Sequence, residues 1–196
     1  MAGGTSIKKY LTSSGHVIYR LRLEAFHKFW TFVYLVLLQE PAAGLAAILI
    51  DTGSGYGRSN HDLEAGLLQI AREEDRFTGP EDLSHILITH GHIDHFGGLP
   101  YLRSVTDAEV GIHELDYRTV TNYDERLATV SRKLKVYLLE AGLDPHDVEG
   151  LIQIYRAAKL TYEDVSIDFT YNMQGMNLGP FRLLHVPGHC PGHVVL

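Results

Sequence analysis

Apolar and polar positions alternate most clearly near the start of the chain. His16-Val17-Ile18-Tyr19-Arg20-Leu21 and Phe32-Val33-Tyr34-Leu35-Val36 are rich in β-branched and aromatic residues. Such residues pack well on a pleated surface, so strands are predicted over 16–23 and 31–38. A third apolar run, 46–50, predicts a strand that ends at Asp51. From Asn60, a residue suited to capping, Leu63, Leu67, Ile70 and Ala71 recur at helical spacing and predict a helix to about residue 74. Ile86-Leu87-Ile88 has the pattern of a short buried strand, placed over 85–89. A short helix over 98–104 and a strand over 109–112 follow.

The stretch 116–165 has a different period. Leu127, Val130, Leu134, Leu138 and Ala141 form one helical stripe, and Val148, Leu151, Ile152 and Tyr155 form a second. Gly142 breaks them, and Asp144-Pro145 supplies a cap with a first-turn proline. This reads as a helical hairpin inserted between two strands. It packs on the surface or pairs two copies of the chain, or it is a lid with Tyr117, Tyr123, Tyr155 and Tyr162 as contacts. The strand resumes over 181–186.

Composition narrows the class. A chain of 196 residues with 45% hydrophobic and 21% charged residues suits one soluble domain with a sizeable core. The net charge of −7 argues against a broad polyanion-binding surface, so nucleic acid is not an expected partner. Cys190 is the single cysteine, which excludes an intramolecular disulfide and suits a reducing compartment. Phe29 to Leu38 is too short an apolar run to span a bilayer, and the first nine residues lack the apolar core of a signal peptide. The expectation is a cytoplasmic protein with no membrane partner. Gly53, Gly55 and Gly57 lack the spacing of a phosphate-binding loop and are read as a tight turn.

The chemistry concentrates in His90-Gly91-His92-Ile93-Asp94-His95, four potential metal ligands in six residues. Three imidazoles and a carboxylate are costly to desolvate together, at about 1–3 kcal/mol for each unpaired polar group. A divalent cation removes that cost. In an extended loop His90 and His92 point the same way and can share one ion. Asp94 and His95 point elsewhere and begin a second site. Two ions roughly 3.5–4 Å apart can hold a hydroxide and clamp the attacked group. Asp94 is the candidate catalytic residue, ligating and orienting that hydroxide.

Three segments carry a resemblance to a known family. They are Ile48-Leu49-Ile50-Asp51-Thr52-Gly53, the H-x-H-x-D-H run, and Val186-Pro187-Gly188-His189-Cys190-Pro191-Gly192-His193. In this order they resemble the motifs of the metallo-β-lactamase-fold metallohydrolases. The resemblance implies an α+β fold, an αββα four-layer sandwich occupying residues 1–196 with the helical insertion at about 116–165. It implies metal ligands His90, His92, Asp94, His95 and His189, with Asp51 holding the His loop through hydrogen bonds without ligating. Three imidazoles leave an open position for water, the arrangement of a catalytic rather than a structural ion. The implied cofactor is a divalent metal, most simply two zinc ions, with manganese and iron as alternatives.

The remaining histidines are read as packing residues. His85 precedes an apolar strand and His113 ends one, with substrate contact the alternative for His113. His185 and His193 flank His189, with support of the ligand as their alternative. Alternation points Cys190 away from the metal. Family members carry two further ligands after the Pro-Gly-His segment, a bridging Asp and a last His. Neither is present in this chain, so the expectation is the front portion of a longer protein with an apolar sheet edge open to pairing, including with a second copy.

These motifs imply a hydrolase acting on a small molecule with an ester-like carbonyl: a thioester, lactone or lactam. The form Pro-Gly-His-x-x-Gly-His resembles glyoxalase II-like thioesterases and lactonases. The same ligands also fit a phosphodiesterase, an iron-dependent oxidoreductase of the persulfide dioxygenase or flavodiiron kind, and a non-catalytic truncated module. The negative charge disfavours the phosphodiesterase.

Overall fold

Burial alternates along the second strand, and this alternation divides the molecule into layers. The computed structural model describes residues 6–42, 45–157 and 162–196. Seven strands form the main sheet in chain order: β1 (Ser6–Leu11), β2 (Val17–Phe26), β3 (Phe29–Ala42), β4 (Leu45–Ile50), β5 (Leu83–Leu87), β6 (Glu109–His113) and β7 (Phe169–Tyr171). β1 to β4 are antiparallel neighbours, whereas β4 to β7 run parallel. Parallel pairing requires crossovers. Those crossovers hold α1 (Ser59–Ala71), the short helices α2 (Ile93–Phe96) and α3 (Leu99–Arg103), and then α4 (Tyr117–Thr121), α5 (Tyr123–Glu140) and α6 (Pro145–Ala157). A second, antiparallel sheet follows: β8 (Met176–Leu178), β9 (Phe181–His185) and β10 (Val194–Val195), in the order β10-β9-β8.

One face of the main sheet packs on helices. Leu21, Leu23, Val33, Leu35, Leu49, Ile86 and Val110 are buried there against Leu63, Leu67 and Ile70 of α1 and Leu99 and Leu102 of α3. The opposite face places Val36, Ile48 and Leu87 against Leu178 and Phe181 of the second sheet. A third cluster, Tyr171, Leu183 and Val194, closes the gap between the sheets. Helix layer, large sheet and small sheet are three layers of the expected sandwich. No helical residue joins the cluster on the small sheet among the described residues.

The predicted elements are present with shifted ends. The second strand runs to Phe26, because its alternation continues past the apolar run, and the third spans Phe29–Ala42. α5 begins at Tyr123 rather than near Leu127. Helix α6 starts as expected at Pro145, with the Asp144 carboxylate accepting the His146 N–H at 2.8 Å. The strands β1, β7 and β8 were not expected; β1 is almost wholly exposed and carries no apolar alternation. Among the described residues no helix is long and apolar enough to cross a membrane.

The turn after β4 is a tight one, as read, and it has a packing purpose. Gly55 has φ +75°, and a Cβ there would lie 2.2 Å from the carbonyl oxygen of Gly97. A Cβ on Gly97 would in turn lie 2.0 Å from the carbonyl of Ser54. Backbone therefore meets backbone where the β4 turn supports the His loop.

Candidate metal centre

Strand β4 delivers Asp51 and strand β5 delivers the His loop, side by side because the two strands are parallel neighbours. Asp51 is buried and sits at φ +63°, a conformation costly for a residue with a side chain. Its carboxylate accepts the Thr89 N–H at 2.8 Å, the Thr89 hydroxyl at 2.9 Å and His95 Nδ1–H at 2.7 Å. The next residue continues the clamp. Thr52 donates its N–H to the His95 carbonyl at 2.7 Å, and its hydroxyl accepts the Gly98 N–H at 3.1 Å.

These bonds also select the imidazole tautomers. The one hydroxyl proton of Thr89 goes to Asp51, so the contact with His90 Nδ1 at 3.0 Å must be His90 donating. His90 Nε2 then keeps its lone pair, directed at His92 Nδ1 3.1 Å away. Metal-binding histidines are commonly oriented by such a bond from the other ring nitrogen.

His90, His92 and His189 converge, with one nitrogen from each within 4.8 Å of the others. Their ring centroids are 4.5 to 4.9 Å apart. His90 is buried, whereas His92 and His189 are exposed. Burial, and then the neighbouring imidazoles, push His90 down to about 3. It is therefore neutral at physiological pH, the form a metal ion takes. Asp94 and His95 are not in this trio. They pair with each other, His95 Nε2 lying 3.3 Å from Asp94 Oδ2. Burial opposes a charge on His95, but Asp51 and Asp94 outweigh it and raise it to about 9. Burial likewise opposes the Asp94 carboxylate, and the His95 bond wins and holds it below the usual range. Three converging imidazoles, one with its tautomer fixed and its charge excluded, fit a divalent ion by donor chemistry.

Asp116, between β6 and α4, was not singled out from the sequence. Its Oδ2 accepts the Gly91 N–H at 2.8 Å and the Cys190 thiol at 3.4 Å. A Cβ on Gly192 would lie 2.6 Å from its carboxyl carbon, and one on Gly91 3.0 Å away. The carboxylate is thus wedged between the two loops that carry the converging histidines. No spacing or motif marks this aspartate, and only the fold brings it to both loops. The thiol of Cys190 faces Asp116 and is pushed up to about 11, by burial first and then by that carboxylate. His113 stacks on His185 at 4.3 Å, and His185 Nε2 meets the Pro191 carbonyl at 2.7 Å, so both pack beneath the second loop. His193 lies closer to the trio than a packing residue, its ring 5.0 Å from that of His90. His85 lies elsewhere, edge-on to Phe169.

A cavity of about 350 Å³ opens beside the trio, lined by His92, His189 and Asp116 on one part and by Phe96, Tyr123 and Tyr155 on another. Tyr123 and Tyr155 line this cavity. Tyr162 does not; it packs edge-on against Phe96 at 5.0 Å. Tyr117 is also outside the lining.

The sequence profile of the metallo-beta-lactamase superfamily matches residues 30–196. The chain belongs to this superfamily. Within it, the chain is 28% identical over 159 residues to the probable metallo-hydrolase YflN of Bacillus subtilis (strain 168), covering 81% of this chain and 53% of that protein. The fold is similar to that of the metallo-beta-lactamase family protein TTHA1429 from Thermus thermophilus, with a TM-score of 0.58 and 21% identity over 97% of this chain and 54% of that one. It is also similar to a flavo di-iron protein variant from Thermotoga maritima, with a TM-score of 0.55 and 16% identity over 97% of this chain and 39% of that one. The chain spans about half the length of the curated relative it matches. Superfamily membership accounts for the α+β architecture, the large sheet and the His-rich loop at the end of β5.

Proposed function

We propose that the trio holds a divalent metal ion and that the protein is a metal-dependent hydrolase of ester-like carbonyls, whether thioesters, lactones or lactams. The observation that carries this reading is the convergence of His90, His92 and His189 at the mouth of a cavity. These three would hold the ion, while Asp94 and His95 stand ready to serve a second. A bound divalent ion polarises a carbonyl oxygen and lowers the pKa of coordinated water to about 7. Zinc is the simplest occupant, with manganese or iron compatible with the same donors.

The chain's own groups supply position and proton handling. Asp94, ionised at neutral pH, accepts a hydrogen bond from the attacking water and aims it at the carbonyl carbon. Asp51 and Thr89 keep the His loop from turning as charge develops. Helices α5 and α6 act as a lid whose tyrosines cover the acyl part of the substrate. Water adds to the carbonyl carbon, the bond to oxygen, sulfur or nitrogen breaks, and the departing atom takes a proton. The products are a carboxylic acid and an alcohol, thiol or amine.

The likeness to a flavo di-iron protein keeps an iron-dependent oxidoreductase as the second reading, since imidazole and carboxylate suit iron as well as zinc. Turnover of a panel of thioesters, lactones and lactams by the metal-loaded protein, against His92→Ala, separates the two. The hydrolase reading expects a loss on the order of a thousandfold in His92→Ala with the fold intact. Undiminished hydrolysis by that variant contradicts it.

A further inference from the structure

Helix α5 presents Tyr123, Arg126, Leu127 and Val130 to the cavity, one face of the helix at i, i+3, i+4 and i+7. Three of these offer apolar surface, and the fourth offers a guanidinium. Among the described residues Arg126 is the sole lysine or arginine lining the cavity, and it makes no ion pair. The other strong charge in the lining, Asp116, is already engaged by the Gly91 N–H and the Cys190 thiol. A protein of net charge −7 repels anions in general, so an exposed cation at the rim of one cavity selects for them locally.

We propose that Arg126 anchors a carboxylate on the substrate, so that the hydrolysed compounds are ester-like carbonyls bearing a separate carboxylate across an apolar spacer. This rests on the hydrolase reading of the trio. Arginine matches a carboxylate with two parallel hydrogen bonds, and apolar walls elsewhere in the cavity suit the spacer. Phe96, Leu127 and Tyr155 supply those walls. One guanidinium balances one carboxylate, whereas a phosphate dianion would leave excess negative charge beside Asp116.

Two probes that differ only in charge test this: phenyl butyrate and 4-carboxyphenyl butyrate, with the metal-loaded protein, Arg126→Gln, Arg126→Lys and His92→Ala. Binding is read by saturation-transfer NMR and turnover by steady-state kinetics. The expected result is that the wild type binds the carboxylated ester more tightly than the neutral one. Arg126→Gln raises its KM about tenfold with little change in kcat, leaves the neutral ester within about twofold, and Arg126→Lys restores part of the difference. Equal binding of the two esters to the wild type overturns the proposal, as does an equal loss for both in Arg126→Gln. Because binding is read without turnover, the hydrolase reading fails separately, by hydrolysis of neither ester or by full activity in His92→Ala.

Discussion

Two loops meet at the histidine trio, and they are held in different ways. The His90–His95 loop leaves the middle of the main sheet with Asp51, Thr89 and Thr52 bonded to both of its ends, and its innermost ring is only 4% exposed. The 186–193 loop leaves the small sheet, and Val186 to His189 are exposed. It is tied at its ends, by Val194 N–H to the Thr89 carbonyl at 2.9 Å and Val186 N–H to the His193 carbonyl at 2.8 Å. Between those ties its side-chain support is Asp116 under Cys190 and His185 under Pro191. The first loop therefore fixes two of the three converging imidazoles. The second brings one imidazole to a place already defined, with Asp116 as the coupling between them.

The largest expected effect comes from removing the anchor of the first loop. Asp51→Ala strips three hydrogen bonds from half-buried donors and should cost about 2–3 kcal/mol in urea unfolding. Metal affinity should fall about a hundredfold in a competitive titration. Asp51→Asn, which tolerates the positive φ and keeps one acceptor, should lose less of both. If Asp51→Ala binds metal as the wild type does, the first loop is not what defines the site.

Asp116→Ala should act on the second loop. Metal affinity should drop about tenfold and stability by about 1–2 kcal/mol. Amide hydrogen exchange gives the sharper reading: residues 187–192 should exchange faster while residues 86–96 keep their protection. Equal acceleration in both loops would erase the proposed difference between them.

The smallest effect is expected at the sulfur. Cys190→Ser keeps a donor facing Asp116, so stability should change by no more than about 0.5 kcal/mol and metal affinity by no more than about twofold. Loss of bound metal in this variant would mean that the thiol faces the ion and not Asp116.

The two loops also differed in how well the sequence announced them. The first is one contiguous run behind an apolar strand, so its histidines and its position at the end of β5 could be read directly. Strand β2 was legible because burial on one side imposes alternation, and β4 to β6 because burial on both sides leaves short apolar runs. The short strands β7 and β8 carry three residues each, too few for a period to show, and β1 is an exposed edge. Asp116 and Arg126 were invisible because their importance lies in tertiary neighbours: one sits where two glycines leave room, the other on the helix face that lines the cavity. Tyr162, one of the possible lid contacts, packs against Phe96, and an aromatic in the insertion looks the same in sequence whether it faces a cavity or the core.

The most direct test of the central claim is metal per chain, by elemental mass spectrometry on protein never exposed to chelator, for the wild type, His92→Ala and His189→Ala. The account predicts about one or two ions per wild-type chain and a clear deficit in each variant. Variants that retain as much metal as the wild type would contradict the assignment of His90, His92 and His189 as the site.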